Sequence, residues 1–379
     1  MKKLLAISLA IILSLGCSVD CFAEDVILNE NIPSSILIEA QTGKIIYENN
    51  AHISLPPASI TKIMTMLLIC EAIERGELTT STVITASERA KSMGGSTIFL
   101  DTNEQMTLDD LLKGIAVASA NDACVAVAEH MSGSIEAFAE KMNERAKQLG
   151  MKDTHFVNCN GLDDDNHYTS AYDIAVMSRE LLKHKMIFKY TTIWMDSLRD
   201  GKFTLSNTNK LIRFYPGANG LKTGSTSKAG CCISASAKRD GMQLIAVVLG
   251  APNSKERFAS ASNLLNYGFS NYGVTQFGEK GEDIRAIKVI NGKNTSVIGV
   301  SQENSCILLK KAEVSKAKVH INVPKEIKAP VKKNQILGEM IVTLDGETIS
   351  KTNIVAKNDV AHKNSMDYFK QIIGNLIFI

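Results

Sequence analysis

The stretch that decides the fold of this chain reads Ser59-Ile-Thr-Lys-Ile-Met-Thr-Met-Leu-Leu-Ile-Cys-Glu-Ala-Ile73. From Ile60 onwards its apolar residues fall on every side of a helix rather than along one stripe. A helix that is apolar all round is buried at the centre of a domain. Pro56-Pro57 interrupts the chain just before this stretch, and Gly76 closes it. The sequence therefore predicts a buried central helix whose first turn carries Ser59.

The start of that helix also carries a serine and a lysine at a chemically useful spacing. Ser59 and Lys62 are three residues apart, so they share one helical face about one turn apart. A serine needs a base to become a nucleophile, and a lysine can act as that base only when it is neutral. Burial and a second nearby cation both lower the pKa of a lysine. Backbone N–H groups at the helix start are placed to stabilise an oxyanion.

The Ser-x-x-Lys spacing alone is a weak signal, because ordinary surface residues also show it. Two further pairs in this chain have it: Ser225/Lys228 and Ser315/Lys318. The Ser59/Lys62 pair differs from the other two because two further motifs follow it in the chain. Ser119-Ala-Asn121 is the only Ser-x-Asn in the sequence, and Lys222-Thr-Gly224 is the only Lys-Thr-Gly. Taken singly, the first motif could cap a helix and the second could be an ordinary strand edge. Together and in this order they indicate a catalytic site.

An edge strand that carries the Lys-Thr-Gly motif would supply what the lysine base needs. Lys222 would hold a substrate carboxylate and lower the pKa of Lys62, and Thr223 would offer a hydroxyl group. Gly224 has no side chain, so the backbone can approach a substrate closely. The N–H of Ser225 would then complete an oxyanion hole with the N–H of the nucleophilic serine.

The Ser-x-Asn motif would serve proton transfer and orientation. Ser119 would relay a proton to the leaving amine, and Asn121 would orient Lys62 and a substrate amide. No Cys/His spacing typical of a metal site accompanies these motifs. We therefore expect neither a metal nor a cofactor.

The pattern along the chain predicts strands and helices around this site. The hairpin near the start has Gly43 in its turn, and Arg239-Asp-Gly241 joins a later pair of strands. Residues 107–184 are mostly helical in pattern. The remaining predicted elements are strands at 35–39, 44–47, 221–223, 231–237 and 242–249 and a helix at 255–269.

The two ends of the chain differ from its middle. Lys2 and Lys3 precede an apolar run of 12 residues, Leu4 to Leu15, and Cys21-Phe-Ala23 offers a cleavage site, a pattern typical of an export signal. A membrane-anchoring helix is the alternative, but the run is shorter than the roughly 20 residues that span a bilayer. Lipidation at Cys17 is a minor alternative.

Beyond residues 278–283, a Gly- and charge-rich linker, short alternating segments predict a small all-β domain. The final stretch, Met366 to Ile379, places its apolar residues on one helical face. It is too short to span a bilayer and would lie in the membrane interface, or else pack on its own domain. The predicted division is a signal at 1–23, a catalytic domain at 24–276, a β domain at 277–355 and an amphipathic tail at 356–379.

Composition excludes several classes of protein. With 379 residues, 45% hydrophobic and 22% charged, the chain fits a soluble protein of two domains rather than a disordered or multi-span membrane protein. A net charge of +2 gives no basic field, so nucleic acid is not an expected partner. Six cysteines would remain after cleavage; Cys70 and Cys124 lie in apolar helical stretches, which indicates buried thiols. No disulfide framework is indicated.

Five stretches together resemble the low-molecular-weight penicillin-binding proteins of the serine D-alanyl-D-alanine carboxypeptidase family. They are Pro57-Ala-Ser-Ile-Thr-Lys-Ile-Met64, Ser92-Met-Gly-Gly-Ser96, Ser119-Ala-Asn-Asp-Ala123, His167-Tyr-Thr-Ser-Ala171 and Gly220-Leu-Lys-Thr-Gly-Ser-Thr226. The resemblance covers residues 30 to 270 and continues in Ala329-Pro-Val-Lys-Lys333 and Leu344-Asp-Gly346. It implies an α/β (α+β) penicillin-binding/β-lactamase-like fold, an antiparallel sheet with helices and a helical subdomain, followed by the β domain. A terminal amphipathic anchor also fits the family.

The resemblance also implies a reaction and a location. Ser59 would be acylated by the penultimate D-Ala of peptidoglycan stem peptides, with release of the terminal D-Ala, and β-lactams would inhibit covalently. Lys62 would be the base, and Ser119, Asn121, Lys222 and Thr223 would support it. The enzyme would be exported and act at the outer face of the cytoplasmic membrane.

This sequence differs from the family pattern at two positions that could bind the substrate carboxylate. Some family members have a histidine after Lys-Thr-Gly, where this chain has Ser225, and some have an arginine where it reads Ser206-Asn-Thr-Asn-Lys210. Arg257 is a further candidate for binding the terminal carboxylate; an ordinary surface arginine is the alternative.

Three competing functions stay open at this point. A D,D-endopeptidase would cut the same type of bond in cross-links. A β-lactamase would need a water-activating acid such as Glu71 or one in Leu162-Asp-Asp-Asp165, but its usual glutamate-bearing loop is not recognisable. A non-catalytic wall-binding or β-lactam-sensing protein would have no need of Ser59 with Lys62.

Overall fold

The structure is a computed structural model that describes residues 31–369. The predicted export signal, Cys17 and residues 370–379 of the predicted tail lie outside the described residues. Of that tail, residues 365–369 are helical.

The described strands are numbered in chain order and fall into two groups. Those of the first 251 residues are β1 (Ser34–Glu39), β2 (Ile45–Asn49), β3 (Val83–Thr85), β4 (Gln105–Thr107), β5 (Met195–Leu198), β6 (Phe203–Ser206), β7 (Ala218–Thr226), β8 (Gly230–Arg239) and β9 (Met242–Ala251). The later ones are β10 (Tyr272–Gly278), β11 (Asp283–Ile290), β12 (Ser296–Ser301), β13 (Ser305–Lys310), β14 (Lys318–Asn322), β15 (Glu326–Lys328), β16 (Ile336–Leu344) and β17 (Glu347–Ala356).

The α-helices are α1 (Lys62–Glu74), α2 (Glu88–Lys91), α3 (Leu108–Lys113), α4 (Asn121–Ser132), α5 (Ile135–Gln148), α6 (Ala171–Leu181), α7 (Phe188–Thr191), α8 (Leu211–Phe214) and α9 (Ser254–Asn271). Three 3₁₀ turns lie at Ala58–Thr61, Lys185–Ile187 and Lys311–Lys316, and a π turn lies at Gly114–Ala118.

A five-stranded antiparallel sheet in the order β2-β1-β9-β8-β7 organises the first part of the chain. Because strand side chains alternate between faces, Ile36 and Ile38 join a core that contains α1, whereas Leu37 joins a second core beneath α9. The predicted hairpins and the strands at 221–249 are confirmed. Strand β7 lies at the edge of the sheet, as its predicted role requires.

The predicted central helix is confirmed as α1. It has buried side chains on all its faces, from Ile63 and Met64 through Leu67 to Ile69, and it packs against α6. Gly76, with a φ of +76°, follows its end in a left-handed conformation that glycine adopts without strain. Helix α6 packs on this face of the sheet against β1 and β9, and α2 to α5 pack around α1 and one another to form the predicted helical part.

The C-terminal part is all β, as predicted. Its main sheet has six strands in the order β14-β16-β17-β12-β11-β15, and β10 pairs with β13 in a separate two-stranded sheet. A small core that includes Ile287, Val297 and Leu337 holds the main sheet together. Within residues 31–369, no helix has the length and apolar character needed to cross a membrane.

The all-round burial of α1 predicts that substitutions on opposite faces destabilise the protein alike. Ile63 and Leu68 lie about 140° apart around the helix axis, and they are 0% and 8% exposed. We expect Ile63→Ala and Leu68→Ala each to lower the free energy of unfolding by about 2–5 kcal/mol, measured by chemical denaturation. Met195→Ala, at a side chain that is 58% exposed, is the control and should cost less than about 0.5 kcal/mol. A near-zero effect at either helix position would contradict burial on both faces.

Candidate active site

The 3₁₀ turn before α1 carries Ser59, and its geometry is unusual. Ala58 has a φ of +48°, a conformation that costs free energy for any residue with a Cβ atom. Ser59 is partly accessible, whereas Lys62, the first residue of α1, is fully buried. The turn therefore presents the serine hydroxyl at the surface of the site and keeps the lysine beneath it.

The side-chain amine of Lys62 has three close oxygen neighbours. Its Nζ lies 3.0 Å from Ser59 Oγ, 2.6 Å from Asn121 Oδ1 and 2.6 Å from the main-chain oxygen of Asn160. The two shorter contacts are to carbonyl oxygens, which can only accept a hydrogen bond. A neutral amine has two N–H groups and one lone pair, so once both N–H groups are donated the lone pair faces the hydroxyl of Ser59.

Burial is the main cause of the lowered pKa of Lys62, because a charged ammonium is unfavourable away from water. The negative charge of Asp122 acts in the opposite direction. The pKa of Lys222 is lowered further, well below its ordinary value, by its own burial and then by the charge of Lys62. The effect of the neighbouring lysine therefore falls on the pKa of Lys222, whereas the lowered pKa of Lys62, predicted to come partly from Lys222, has burial as its cause.

Two buried thiols are protonated. Burial raises the pKa of Cys124, which lies near Lys62 and Lys222, to about 11 and that of Cys70, farther along α1, to about 12. The interpretation of Cys70 and Cys124 as buried thiols is confirmed.

The Ser-x-Asn motif lies where the π turn passes into α4. Ser119 is buried and left-handed, with a φ of +65°. Asn121 is fixed from three sides, because its Oδ1 accepts from Lys62, its Nδ2 donates to Gly94 O at 2.7 Å and its backbone N–H donates to Ser96 O at 2.7 Å. Asn121 thus ties the segment at 94–96 to the lysine.

Strand β7 forms the opposite wall of the site. A Cβ atom on Gly224 would lie 2.8 Å from the backbone nitrogen of Ser59, so only glycine allows this close approach. Lys222 is 1% exposed, and its Nζ donates to Thr223 O at 2.9 Å. The Thr223 hydroxyl donates to Thr208 Oγ1 at 2.8 Å. Thr208 belongs to the stretch at 206–210, which contains no arginine.

Arg257 lies behind β7, and its side chain is not the surface arginine of the alternative interpretation. The residue is 7% exposed, and its Nη1 donates to Gly224 O at 3.1 Å and to Cys232 O at 3.4 Å. Its Nη2 donates to Ser254 Oγ at 3.1 Å. Burial lowers its pKa. The guanidinium therefore holds the backbone of the strand that carries the Lys-Thr-Gly motif.

A loop at residues 157–167 forms a third wall of the site, a role that no motif in its sequence indicates. Three polar side chains of the nucleophile turn and α1 contact it: Lys62 at Asn160 O, Thr65 at Cys159 O (2.6 Å) and Thr61 at His167 Nε2 (2.8 Å). Asn160-Gly161 is a turn signal in the sequence. Nothing in its spacing indicates that the turn meets the helix about 100 residues earlier.

His167 lies at the end of this loop and is neutral. It is 2% exposed, and burial lowers its pKa to about 4. Its Nδ1 accepts the N–H of Val157 at 3.0 Å, so that the histidine joins the two ends of the loop.

The acidic residues considered for a β-lactamase have other partners. Glu71 pairs with Arg145 at 2.7 Å. Asp163 accepts from Thr226 at 2.7 Å, and Asp165 pairs with Lys228 at 2.6 Å. Within the described part of the chain, no group of three or more His, Cys, Asp or Glu side chains has an arrangement that would hold a metal ion.

Comparison with known proteins identifies relatives along nearly the whole chain. A family model described as D-alanyl-D-alanine carboxypeptidase matches residues 29–253, and one described as the C-terminal domain of penicillin-binding protein 5 matches residues 272–362. The chain is 43% identical over 384 residues to D-alanyl-D-alanine carboxypeptidase DacF of Bacillus subtilis, an alignment that covers 99% of each protein.

Solved structures agree with these sequence matches. Penicillin-binding protein 5 from Haemophilus influenzae has a TM-score of 0.78 and 33% identity, covering 88% of this chain and 98% of that protein. Penicillin-Binding Protein D2 from Listeria monocytogenes, solved in its ampicillin-bound form, has a TM-score of 0.58 and 30% identity, covering 63% of this chain and 98% of that protein. The fold class expected from the sequence is confirmed.

The packing of the loop against the nucleophile turn predicts a large effect of one methyl group. Gly161 has a φ of +87°, and a Cβ atom there would lie 1.8 Å from Ala58 O. We expect Gly161→Ala to lower the free energy of unfolding by more than about 2 kcal/mol, measured by chemical denaturation. Gly150→Ala is the control, because Gly150 has a φ of +76° with no atom near the added Cβ; it should cost only about 1 kcal/mol. Equal costs for the two variants would contradict the close packing.

Proposed function

Because the chain belongs to the D-alanyl-D-alanine carboxypeptidase family, we propose that it removes the terminal D-Ala from peptidoglycan stem pentapeptides through an acyl-enzyme on Ser59. Lys62 takes the hydroxyl proton as Ser59 Oγ attacks the carbonyl carbon of the penultimate D-Ala. The peptide C–N bond breaks, and the proton passes from Lys62, by way of Ser119, to the departing amine. Water then hydrolyses the ester and restores the serine.

The observation that carries this proposal is the environment of the Lys62 amine. Asn121 and Asn160 occupy its two N–H groups at 2.6 Å each. Burial favours the neutral form, and the remaining lone pair faces Ser59 at 3.0 Å. This arrangement is what a lysine general base requires.

The oxyanion hole is formed by the N–H groups of Ser59 and Ser225. Across a trans peptide bond, the C=O of one residue and the N–H of the next point in opposite directions. Arg257 holds Gly224 O on the inner side of β7. The N–H of Ser225 consequently points away from Arg257, towards the open edge of the sheet, where the substrate carbonyl would lie.

The terminal carboxylate of the substrate is bound by Lys222 and by the hydroxyl of Thr223, which turns its proton from Thr208 to the carboxylate. Thr208 already contacts Thr223, and no arginine stands in the stretch at 206–210. Arg257 donates its hydrogen bonds to Gly224, Cys232 and Ser254, so we assign it an electrostatic contribution to carboxylate binding through its charge, which also lowers the pKa of Lys222.

β-Lactams acylate the same serine in this proposal, in keeping with the ampicillin-bound relative. The β-lactamase alternative has less support, because Glu71 is paired with Arg145 rather than directed at a hydrolytic water. D,D-Endopeptidase activity breaks the same type of bond, and a cross-linked peptide dimer assayed beside the pentapeptide would measure its share.

Replacement of the nucleophile tests the proposal. We expect Ser59→Ala to lower D-Ala release from a D-Ala-D-Ala-terminated peptide at least about a thousandfold and to abolish the penicillin adduct on the peptide that contains residue 59, measured by mass spectrometry. Ser315→Ala, at the exposed serine of another Ser-x-x-Lys pair, is the matched control and should behave as the wild type. Retention of either activity in the Ser59 variant would contradict the mechanism.

We further propose that the enzyme acts outside the cytoplasmic membrane and that its tail lies on the membrane surface. Met366 and Phe369, at the start of the tail, are 60% and 59% exposed, which is unusual for large apolar side chains. The β-bridges that join the end of the chain to the β domain, Val331 with Val360 and Gly292 with His362, do not involve Met366 or Phe369.

Vesicle flotation tests this placement. The chain from residue 24 to 379 should float with phospholipid vesicles, whereas the chain ending at residue 363 should remain in the soluble fraction and keep its carboxypeptidase activity. Equal partitioning of the two forms would favour packing of the tail on its own domain.

A further inference from the structure

The turn that carries the nucleophile needs an external restraint. Ala58 has a φ of +48°, a left-handed conformation that is unfavourable for a residue with a Cβ atom. No side chain caps the 3₁₀ turn at its start, and none caps α1. A strained backbone persists only where its surroundings determine it.

A directed chain of hydrogen bonds supplies that restraint. The N–H of Val157 donates to His167 Nδ1 at 3.0 Å, so the proton of the neutral imidazole is assigned to Nε2. That Nε2–H donates to Thr61 Oγ1 at 2.8 Å, and the single hydroxyl proton of Thr61 donates to Ala58 O at 2.9 Å. Each donor has one acceptor, so the chain of bonds runs in a single direction from the loop to Ala58.

The carbonyl of Ala58 and the N–H of Ser59 belong to the same peptide unit and point in opposite directions. The Ala58 carbonyl oxygen faces the loop, because a Cβ atom on Gly161 would contact this oxygen. The Ser59 nitrogen faces β7, because a Cβ atom on Gly224 would contact this nitrogen. Fixing Ala58 O therefore fixes the direction of the Ser59 N–H.

We propose that His167 and Thr61 are positioning residues that aim the oxyanion-hole N–H of Ser59 by holding the carbonyl of Ala58. This inference rests on the proposed acylation of Ser59. Neither residue contacts the substrate. Their effect falls on the rate of acylation and not on the binding that precedes it, because the oxyanion forms only in the transition state.

Acylation kinetics with a fluorescent penicillin separate the two steps in the full-length mature chain. We expect Thr61→Val and His167→Ala each to lower the maximal acylation rate constant about 10- to 100-fold, with the half-saturating penicillin concentration within about threefold of wild type. Thr61→Ser keeps the hydroxyl and should restore at least half of the wild-type rate. The double variant should be no slower than the slower single variant, since both changes break one chain of bonds.

Thr65→Val is the matched control, because Thr65 is a buried threonine in the first turn of α1 that donates to Cys159 O and not to the nucleophile turn. It should acylate at close to the wild-type rate. The inference is overturned if Thr61→Val acylates as fast as Thr65→Val, or if Thr61→Ser is as slow as Thr61→Val. Persistent labelling of Ser59→Ala would instead overturn the proposed function, which keeps the two failures distinct.

Discussion

The site depends on one constraint: a lysine amine sits in the interior, where a charge is costly. Lys62 is fully buried because it begins a helix that is apolar on every face. The surrounding structure supplies two acceptors, Asn121 and Asn160, that match the two N–H groups of a neutral amine. With both N–H groups occupied, the lone pair of the Lys62 amine faces the Ser59 hydroxyl. The proposed role of Lys62 as the base for Ser59 follows from this arrangement.

The direction of each backbone N–H donor in the site is fixed by a side chain that binds the preceding carbonyl group. Arg257 holds the carbonyl of Gly224 and thereby directs the next N–H, at Ser225, to the sheet edge. Thr61, held by His167, does the same for Ala58 and the N–H of Ser59. In both cases a side chain on the far side of a peptide unit fixes what the near side presents to a substrate.

Much of this arrangement could be predicted from the sequence. The burial of α1 follows from its apolar pattern, and the ordered motifs contain the residues that meet at one amine, Ser59, Lys62 and Asn121, together with the adjoining strand whose Gly224 packs against Ser59. The loop at 157–167 could not be predicted in its role. Its contacts join a side chain to a main-chain oxygen or a histidine about 100 residues away, and neither hydrophobic periodicity nor motif spacing encodes such pairs. The burial of Arg257 was missed for a similar reason, because the partners of its guanidinium are carbonyl oxygens, which every residue has.

The titration of Lys62 itself tests the central claim most directly. NMR spectra of the protein labelled with ¹³C at lysine Cε, recorded across pH and assigned by the signal that disappears in Lys62→Arg, report its protonation state. The account predicts that Lys62 titrates below the surface lysines, because burial lowers its pKa. Titration of Lys62 together with the surface lysines would mean that it is an ammonium where the enzyme works, and would contradict its role as the base.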